Sequence, residues 1–325
     1  MLMSHWVAAG LVLASTPIAA EPPQNLDLEI QQAPLIDRTT TTEDVTISTD
    51  NADRMTVPVS VGGKGPYEFL VDTGSERTVI SRELARDLRL TSGRAAILHS
   101  VMGANDVSTV HIPHLKVSSN VISVIDAPAL SASNIGADGM LGIDSLRSQR
   151  VLFNFKAKTM SITPSNQPVE RLDGDTIVVR ARSRKGRLIF TQAKVAGRKI
   201  SVIVDTGSEV TIANMAMQKM LTRRGHALLP DIVMIESVTG EQMSARVTRV
   251  AEIEFGGVKL RDLSVAFADA HIFRQLDLDE KPALLLGMNA MKAFDRISID
   301  FAAKKVRFVL PGTSMRRSVR YASAR

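Results

Sequence analysis

The chain has 325 residues, of which 44% are hydrophobic and 23% charged, a composition typical of a soluble globular protein with about two domains. It contains no cysteine, which excludes disulfides, thiolate zinc sites and a cysteine nucleophile. The formal net charge is +6, but the lysines and arginines are spread along the chain and only 4% of the residues are aromatic. This composition argues against nucleic-acid binding.

The chain begins with a short apolar run, WVAAGLVLASTPIAA, which ends in small residues before Glu21. This run is short for a bilayer span, so it predicts a secretory signal peptide over residues 1–20 that is cleaved after Ala20. Its first residues, MLMSH, depart from the usual pattern because they contain no lysine or arginine. We expect an exported protein, periplasmic or secreted, whose mature chain does not insert stably into a membrane.

Three further segments differ in composition from the rest of the chain. Residues 21–54 are polar and lack a helical period, which predicts an extended arm or linker with one strand at EDVTIST. Residues 164–175 contain proline, asparagine and aspartate and predict a linker between two halves. Residues 312–325 are predicted to form a basic tail.

The two halves, residues 55–163 and 176–311, begin in the same way. VPVSVGGKGPYEFLVDTGS and TQAKVAGRKISVIVDTGS each predict a strand, a glycine-containing turn and an apolar strand that leads into Asp-Thr-Gly-Ser. A short helix is then predicted in each half, over SRELARDLRL and NMAMQKMLTRR.

The remaining parts of the halves also correspond. Gly103 in SVMGANDVS and Gly240 in SVTGEQMS each lie at the bend of a predicted hairpin. The halves then close with GMLGIDSLRSQRVLFNFKAKTMSI and LLLGMNAMKAFDRISIDFAAKKVRF. This is an internal duplication with a period of about 110–130 residues. Because each unit has many short strands and few helices, we predict an all-β protein of two small barrels with short helices.

The repeated motif places one acidic side chain, Asp72 or Asp205, at the same position in each half. One carboxylate in water has a pKa near 4 and is a poor base. Two carboxylates about 3 Å apart cannot both ionise, so they share one proton. Such a pair can remove a proton from water while protonating a carbonyl oxygen or a leaving amine. A two-fold arrangement of the halves would bring Asp72 and Asp205 together.

The order of these motifs resembles that of the aspartic peptidases, most closely the retropepsin-like bacterial type. The resemblance covers roughly residues 55–310 and consists of two Asp-Thr-Gly-Ser turns, each followed by an apolar-apolar-Gly segment, Met140-Leu141-Gly142 and Leu285-Leu286-Gly287. It implies two pepsin/retropepsin-like β-barrel lobes related by a pseudo-two-fold axis, with the apolar-apolar-Gly segment holding the aspartate turn. It also implies an endopeptidase that acts on protein or peptide substrates without a cofactor or metal.

The glycines and threonines of the two turns have expected supporting roles. Gly74 and Gly207 lack a Cβ atom, so their backbone can approach the opposite lobe and donate N–H groups to the carboxylates. Thr73 and Thr206 can hydrogen-bond across the interface, a bracing role that the resemblance assigns to them. Since both turns lie on one chain, we expect a monomer with an intramolecular pair of aspartates.

The serine that ends each motif is expected to act on the neighbouring aspartate. The hydroxyls of Ser75 and Ser208 can donate to the outer oxygens of Asp72 and Asp205 and favour their charged forms. Glu76 and Glu209 also recur after the turns. We assign them no chemistry, because a charged residue after a turn is normally solvated.

The chain departs from the family in its predicted cleft walls. Neither glycine-tipped hairpin carries the tyrosine found on the flap of the pepsin-like enzymes. The second half is also longer than the first between its aspartate turn and the closing glycine. Gly103 and Gly240 are therefore flap candidates by their place in the chain order alone.

Three other interpretations compete with a peptidase. A catalytically silent peptide-binding or scaffold protein could have the same fold, because fold does not fix function. A glycoside hydrolase would need carboxyl groups about 5–10 Å apart, which facing Asp-Thr-Gly turns do not give. His99, His111 and His114 are close in sequence, but they lack the four convergent ligands of a structural zinc site.

Overall fold

The computed structural model describes residues 5–7, 13–14, 28–30, 45–46, 55–117, 120–168, 175–223 and 232–312. The predicted signal peptide, arm, linker and basic tail lie partly or mostly outside the described residues. Within the described ranges, no helix is long and apolar enough to cross a membrane.

The strands before the two halves are β1 (His5–Val7), β2 (Leu13–Ala14), β3 (Leu28–Ile30) and β4 (Val45–Thr46). The first half contains β5 (Thr56–Val61), β6 (Lys64–Val71), β7 (Val79–Ser81), β8 (Thr91–Ser92), β9 (Ala96–His99), β10 (Ala104–Val107), β11 (Thr109–Val117), β12 (Asn120–Leu130), β13 (Gly139–Leu141), β14 (Gln149–Asn154) and β15 (Thr159–Pro164). The second half contains β16 (Thr176–Arg180), β17 (Arg182–Arg184), β18 (Arg187–Val195), β19 (Arg198–Val204), β20 (Thr211–Ala213), β21 (Ile232–Glu236), β22 (Gln242–Phe255), β23 (Val258–Phe267), β24 (Ala283–Leu286), β25 (Arg296–Asp300) and β26 (Lys305–Val309).

The helices of the described residues are short. They are α1 (Arg82–Asp87), α2 (Ala132–Ile135), α3 (Ile143–Leu146), α4 (Met215–Thr222), α5 (His271–Gln275) and α6 (Met288–Met291). The helices predicted after each turn correspond to α1 and α4. Both begin after a capping side chain, because the Ser81 hydroxyl accepts from the N–H of Leu84 and the Asn214 side chain accepts from the N–H of Met217.

Six strands of the first half close into a ring, which we call the first lobe. Its order is β5–β6–β13–β7–β12–β11 and back to β5. Val57, Val59 and Val61 alternate along β5 and are buried in the core, together with Phe69 of β6. This alternation is the pattern expected of a strand with one face in the core.

The second half repeats this ring with β18–β19–β24–β20–β23–β22 and back to β18, which we call the second lobe. Strands in equivalent positions have the same parallel or antiparallel pairing in both lobes. The prediction of an all-β protein with two barrel lobes is therefore confirmed.

A third sheet joins the two halves, with strand order β16–β26–β25–β14–β15–β4. At its centre, β14 of the first half pairs antiparallel with β25 of the second, with Val151 opposite Ile299 and Phe153 opposite Ile297. All four of these side chains belong to the main core. The shared sheet and its buried apolar face therefore hold the lobes in a fixed relation. The strand predicted at EDVTIST appears in short form as β4.

Candidate active site

Each candidate aspartate directly follows a buried strand, and its backbone N–H is hydrogen-bonded to the apolar-apolar-Gly segment of its own lobe. The N–H of Asp72 donates to the carbonyl of Leu141 at 3.0 Å, and the N–H of Asp205 donates to the carbonyl of Leu286 at 3.1 Å. These bonds extend the parallel pairings β6–β13 and β19–β24. The two strand pairs thereby place both aspartates at equivalent points of the two lobes.

The glycines that end these segments are required by close packing. A Cβ atom on Gly142 would collide with the backbone of Arg77, and one on Gly287 would lie 2.5 Å from the carbonyl oxygen of Val210. Both contacts are to backbone, which cannot move aside as a flexible side chain could. The arrangement that the resemblance implied for these segments is therefore present in the structure.

The structure brings Asp72 and Asp205 together at the interface of the lobes. Both residues are 0% exposed, and their carboxyl groups are close enough to hydrogen-bond to each other. A Cβ atom on Gly74 would lie 2.5 Å from Oδ1 of Asp205, and one on Gly207 would lie 2.6 Å from Oδ1 of Asp72. Only glycine allows each turn to approach the opposite carboxyl group this closely.

Backbone N–H groups hold one oxygen of each carboxyl group. Oδ1 of Asp72 accepts from the N–H of Gly74 at 2.7 Å and from that of Ser75 at 3.1 Å. Oδ1 of Asp205 accepts from the N–H of Gly207 at 3.0 Å. Apart from the facing carboxyl group, no donor among the described residues reaches the buried Oδ2 atom of either aspartate. Each carboxyl group thus has one anchored oxygen and one that can exchange protons.

Burial makes ionisation of this pair unfavourable. It raises the pKa of Asp72 well above its ordinary value, and the charge of Asp205 raises it further. Burial likewise raises the pKa of Asp205, from 3.8 to about 6. Two interacting acids lose their protons in two steps that belong to the pair. The pair is therefore expected to keep one shared proton over a range above the usual carboxyl pKa.

The two threonines brace the turns through reciprocal hydrogen bonds. The hydroxyl of Thr73 donates to the carbonyl of Val204 at 2.9 Å and accepts from the N–H of Thr206 at 3.1 Å. The hydroxyl of Thr206 donates to the carbonyl of Val71 at 2.6 Å and accepts from the N–H of Thr73 at 3.1 Å. The expected hydrogen bonds across the interface are present, and they fix the two turns face to face.

The prediction that the serine hydroxyls donate to the outer oxygens of the aspartates is wrong. The hydroxyl of Ser75 donates to the carbonyl of Arg77, and that of Ser208 to the carbonyl of Val210, both at 2.7 Å. A serine in a turn can bond to a carbonyl two residues further on, and this local bond competes with more distant partners. The serines therefore stabilise the turns. Ser75 reaches its aspartate through its backbone N–H instead.

The two candidate flaps are hairpins whose tips pack into the opposite lobe. Val101, beside Gly103 in the β9–β10 turn, is buried in an apolar cluster with Ile272 and Phe273 of the second half. Val238, beside Gly240 in the β21–β22 turn, is buried in a cluster with Ile135 and other residues of the first half. The hairpins thus cross between the lobes, and the aspartates are fully buried in this closed arrangement.

Polar contacts join the crossed hairpins. The Asn105 side chain donates to Oε2 of Glu241 at 3.0 Å, and the Ser100 hydroxyl reaches the same oxygen at 3.4 Å. The N–H of His271 donates to the carbonyl of Val101 at 2.6 Å. These contacts link each hairpin to residues of the opposite half.

Sequence reasoning missed the partner of Glu76. The structure pairs its Oε1 atom with Nη1 of Arg187 at 3.1 Å, and this arginine is 0% exposed. The partner of Glu76 could not be identified, because Arg187 lies in the other half of the chain.

The three histidines that are close in sequence do not converge on one site. His111 contacts Asp126, with 3.0 Å between Nδ1 and Oδ1, on an exposed face, whereas His99 contacts His271 of the second half. His114 lies on the same strand as His111. No group of three or more potential metal ligands forms in the part of the chain that the structure describes.

Comparison with known proteins agrees with this geometry. A sequence profile described as aspartyl protease matches residues 57–145 and 191–290, which together make up more than half of the chain. Each matched segment contains one Asp-Thr-Gly-Ser turn and its apolar-apolar-Gly segment. No curated protein matches the chain significantly. The extent of the profile match, with one motif in each segment, shows that the chain belongs to the aspartyl protease family.

Proposed function

We propose that this protein is an aspartic endopeptidase in which Asp72 and Asp205 share one proton and activate water. The observation that carries the proposal is the contact between the two buried carboxyl groups, each with one oxygen held by backbone N–H groups. This arrangement leaves the Oδ2 atoms of both residues for proton transfer.

The chemistry follows from the single shared proton. A water molecule between the carboxyl groups gives a proton to the charged one, and its oxygen attacks the carbonyl carbon of the peptide bond. The protonated carboxyl group gives its proton to the carbonyl oxygen, which forms a neutral tetrahedral diol. The carboxyl group that now carries the proton gives it to the amide nitrogen, while the charged carboxyl group takes a proton from a hydroxyl of the diol. The C–N bond then breaks to give a carboxylic acid and an amine, and the pair again holds one proton. Water and two acids suffice for this reaction.

The pair is formed within one chain in this proposal. The shared sheet joins β14 of the first half to β25 of the second, and the Thr73–Thr206 bonds connect the turns of the same polypeptide. Linking two sites on one chain gives an effective concentration in the millimolar range. A monomer should therefore be active.

Single substitutions test both the chemistry and the pairing. Asp72→Asn or Asp205→Asn should abolish cleavage of a peptide library while circular dichroism and the melting temperature show a folded protein. An equimolar mixture of the two variants should remain inactive, and the specific activity of the wild type should not change on dilution. Cleavage by either variant at the wild-type rate would refute the shared pair, and cleavage that appears only on mixing would indicate pairing between chains.

The same experiment separates an enzyme from a silent binding protein. The Asp72→Asn variant should bind peptides that the wild type cleaves, which isothermal titration calorimetry can measure. If the wild type binds peptides with micromolar affinity but yields no cleavage product by mass spectrometry between pH 3 and pH 8, it is a binding protein with this fold.

We further propose that the protein is exported, on the basis of the apolar run over residues 1–20. Expression of the full chain in a bacterium, followed by fractionation and N-terminal sequencing, tests this. A mature periplasmic or secreted chain that begins at Glu21 would support export, and an uncleaved cytoplasmic chain would exclude it.

A further inference from the structure

A buried arginine of the second half contacts the turn that carries Asp72. Arg187 is the first residue of β18 and is 0% exposed. Its Nε atom donates to the carbonyl of Gly74 at 2.7 Å, and its Nη1 atom donates to Oε1 of Glu76 at 3.1 Å. The guanidinium of the second half therefore hydrogen-bonds to Gly74 and Glu76 of the first half, which follow Asp72 in the chain.

One peptide group connects this arginine to the aspartate. The carbonyl of Gly74 accepts from Arg187, and the N–H of the same peptide group, which belongs to Ser75, donates to Oδ1 of Asp72 at 3.1 Å. A charged donor on the carbonyl polarises the peptide group and strengthens hydrogen bonding by its N–H. The charge of Arg187 thus acts on Asp72 through a continuous pair of hydrogen bonds.

The positive charge of Arg187 also opposes the effect of burial on both aspartates. Burial disfavours any negative charge on the pair, whereas the charge of Arg187 lowers the pKa of Asp72 and of Asp205. The charge acts strongly here because the surroundings have a low dielectric constant. A pair without this cation would keep both protons up to a higher pH, and while it holds both it cannot remove a proton from water.

The ion pair with Glu76 does not by itself account for the buried arginine. A buried ion pair is weak evidence for stability, since its desolvation cost can exceed its attraction. The Glu76 side chain is 24% exposed and can be solvated in part. In addition, Nη2 of Arg187 is buried and has no hydrogen-bond partner among the described residues. Burial of the Arg187 guanidinium is therefore unfavourable by itself, and it is explained if its positive charge stabilises the negative charge of the aspartate pair.

We propose that Arg187 is a positioning residue for the dyad: it holds the Gly74–Ser75 peptide group against Asp72 and keeps one negative charge on the buried pair. This inference rests on the proposed function of the same site. The role is indirect, because Arg187 acts through the peptide group and its electric field.

Three substitutions test the proposal. Arg187→Met removes the charge and the guanidinium donors while keeping an unbranched stem, and Arg187→Lys keeps the charge but cannot reproduce the planar pair of donors. Lys194→Met is the matched control, because Lys194 lies on the same strand and pairs with Glu254 at 3.1 Å in a partly exposed position. The readouts are the titration midpoints of the two aspartates, followed by carboxyl-carbon NMR without substrate, and the pH profile of kcat/KM.

The expected results differ among the variants. Arg187→Met should raise the titration midpoints of Asp72 and Asp205 by about one pH unit, since a nearby opposite charge shifts a carboxyl pKa by this order. The acid limb of the kcat/KM profile should move to higher pH by the same amount. On the acid limb this shift lowers kcat/KM about tenfold at a fixed pH. Arg187→Lys should restore the midpoints but only part of kcat. Lys194→Met should match the wild type.

A folded Arg187→Met protein with wild-type midpoints would overturn the proposal and leave Arg187 as a structural ion pair. If this variant fails to fold, Arg187→Met combined with Glu76→Gln removes both charges, and unchanged midpoints in that protein would overturn the proposal equally. The NMR titration needs no substrate. A wild type that cleaves no peptide would therefore refute the proposed function, while the titration still decides whether Arg187 acts on the aspartates.

Discussion

The imidazole rings of His99 and His271, which lie in different halves of the chain, meet edge to edge. Nδ1 of His99 is 3.0 Å from Nε2 of His271. The ring planes differ by 9° and the centroids are 5.2 Å apart, so the rings lie almost in line through an N–H···N bond. The Gln275 side chain reaches both nitrogens, at 3.2 and 3.1 Å. Burial, then the charges of Arg274 and Lys185, lower the pKa of His271, which favours its neutral ring. The bond needs one of the two nitrogens to be unprotonated as the acceptor.

We predict that this histidine pair slows opening of the first hairpin. His271→Leu should remove the bond and increase hydrogen exchange of the amides of β9 and β10 about tenfold, the effect of a loss of 1.4 kcal/mol. His111→Leu is the control, because His111 contacts Asp126 on an exposed face away from this bond. Equal exchange rates in the wild type and His271→Leu would show that the hairpin is held by other contacts.

The two hairpin glycines should respond differently to alanine. Gly240 has φ +84° and lies against Asn134, whose Nδ2 atom would be 2.8 Å from an added Cβ atom, whereas Gly103 has open space around it. Gly240→Ala should therefore destabilise the protein by about 1–2 kcal/mol. Gly103→Ala should stay within about 0.5 kcal/mol of the wild type. Urea unfolding measures both, and equal stabilities would contradict the assigned geometry at Gly240.

The pH dependence of cleavage should follow the raised carboxyl pKa values. The mechanism needs one charged carboxyl group, and burial raises the pKa of Asp205 to about 6. Activity should therefore fall as the pH drops below about 6, because the pair then holds two protons. Burial, and then the charge of Asp205, also raise the pKa of Asp72 well above its ordinary value, so the pair should keep one proton at a pH above the usual carboxyl range. A kcat/KM maximum near pH 3 would contradict this prediction.

The serine hydroxyls provide a control for the pH profile. Both donate to carbonyl groups within their own turns, so Ser75→Ala with Ser208→Ala should leave the acid limb unchanged. Each substitution should instead cost about 1 kcal/mol of stability through the lost hydrogen bond. A shift of the acid limb in this double variant would show that the serine hydroxyls act directly on the carboxyl groups.

The reciprocal threonine bonds should be a major source of stability at the interface. Thr73→Ala leaves the carbonyl of Val204 and the N–H of Thr206 buried without these bonds, which should cost about 2–4 kcal/mol. Thr73→Ser retains the hydroxyl and should recover most of this loss. Thr222→Ala, which removes an exposed hydroxyl bond to Gln218, should change the unfolding free energy little. A loss no larger than that of Thr222→Ala would contradict the proposed brace.

Much of the site could be predicted from residue types and their order. The two aspartates, the glycines with no room for a Cβ atom and the threonine pair all come from a motif that occurs twice. A strand before each motif and an apolar-apolar-Gly segment after it are local patterns. The pairing of β6 with β13 and of β19 with β24 joins distant segments, and it was expected from the resemblance to the aspartic peptidases. Once both halves form the same ring, two-fold packing places the motifs opposite each other.

The sequence by itself therefore determined the duplicated fold and the identity of the proposed dyad. Only the tertiary structure decided that the hydroxyl of Ser75 donates to a carbonyl of its own turn and that Arg187 hydrogen-bonds to the Asp72 turn. It also decided that each hairpin tip packs against the opposite half. The physical reason is that a motif sets backbone geometry within a few residues. The partner of a side chain depends on which distant groups reach the same space and on which bonds compete there.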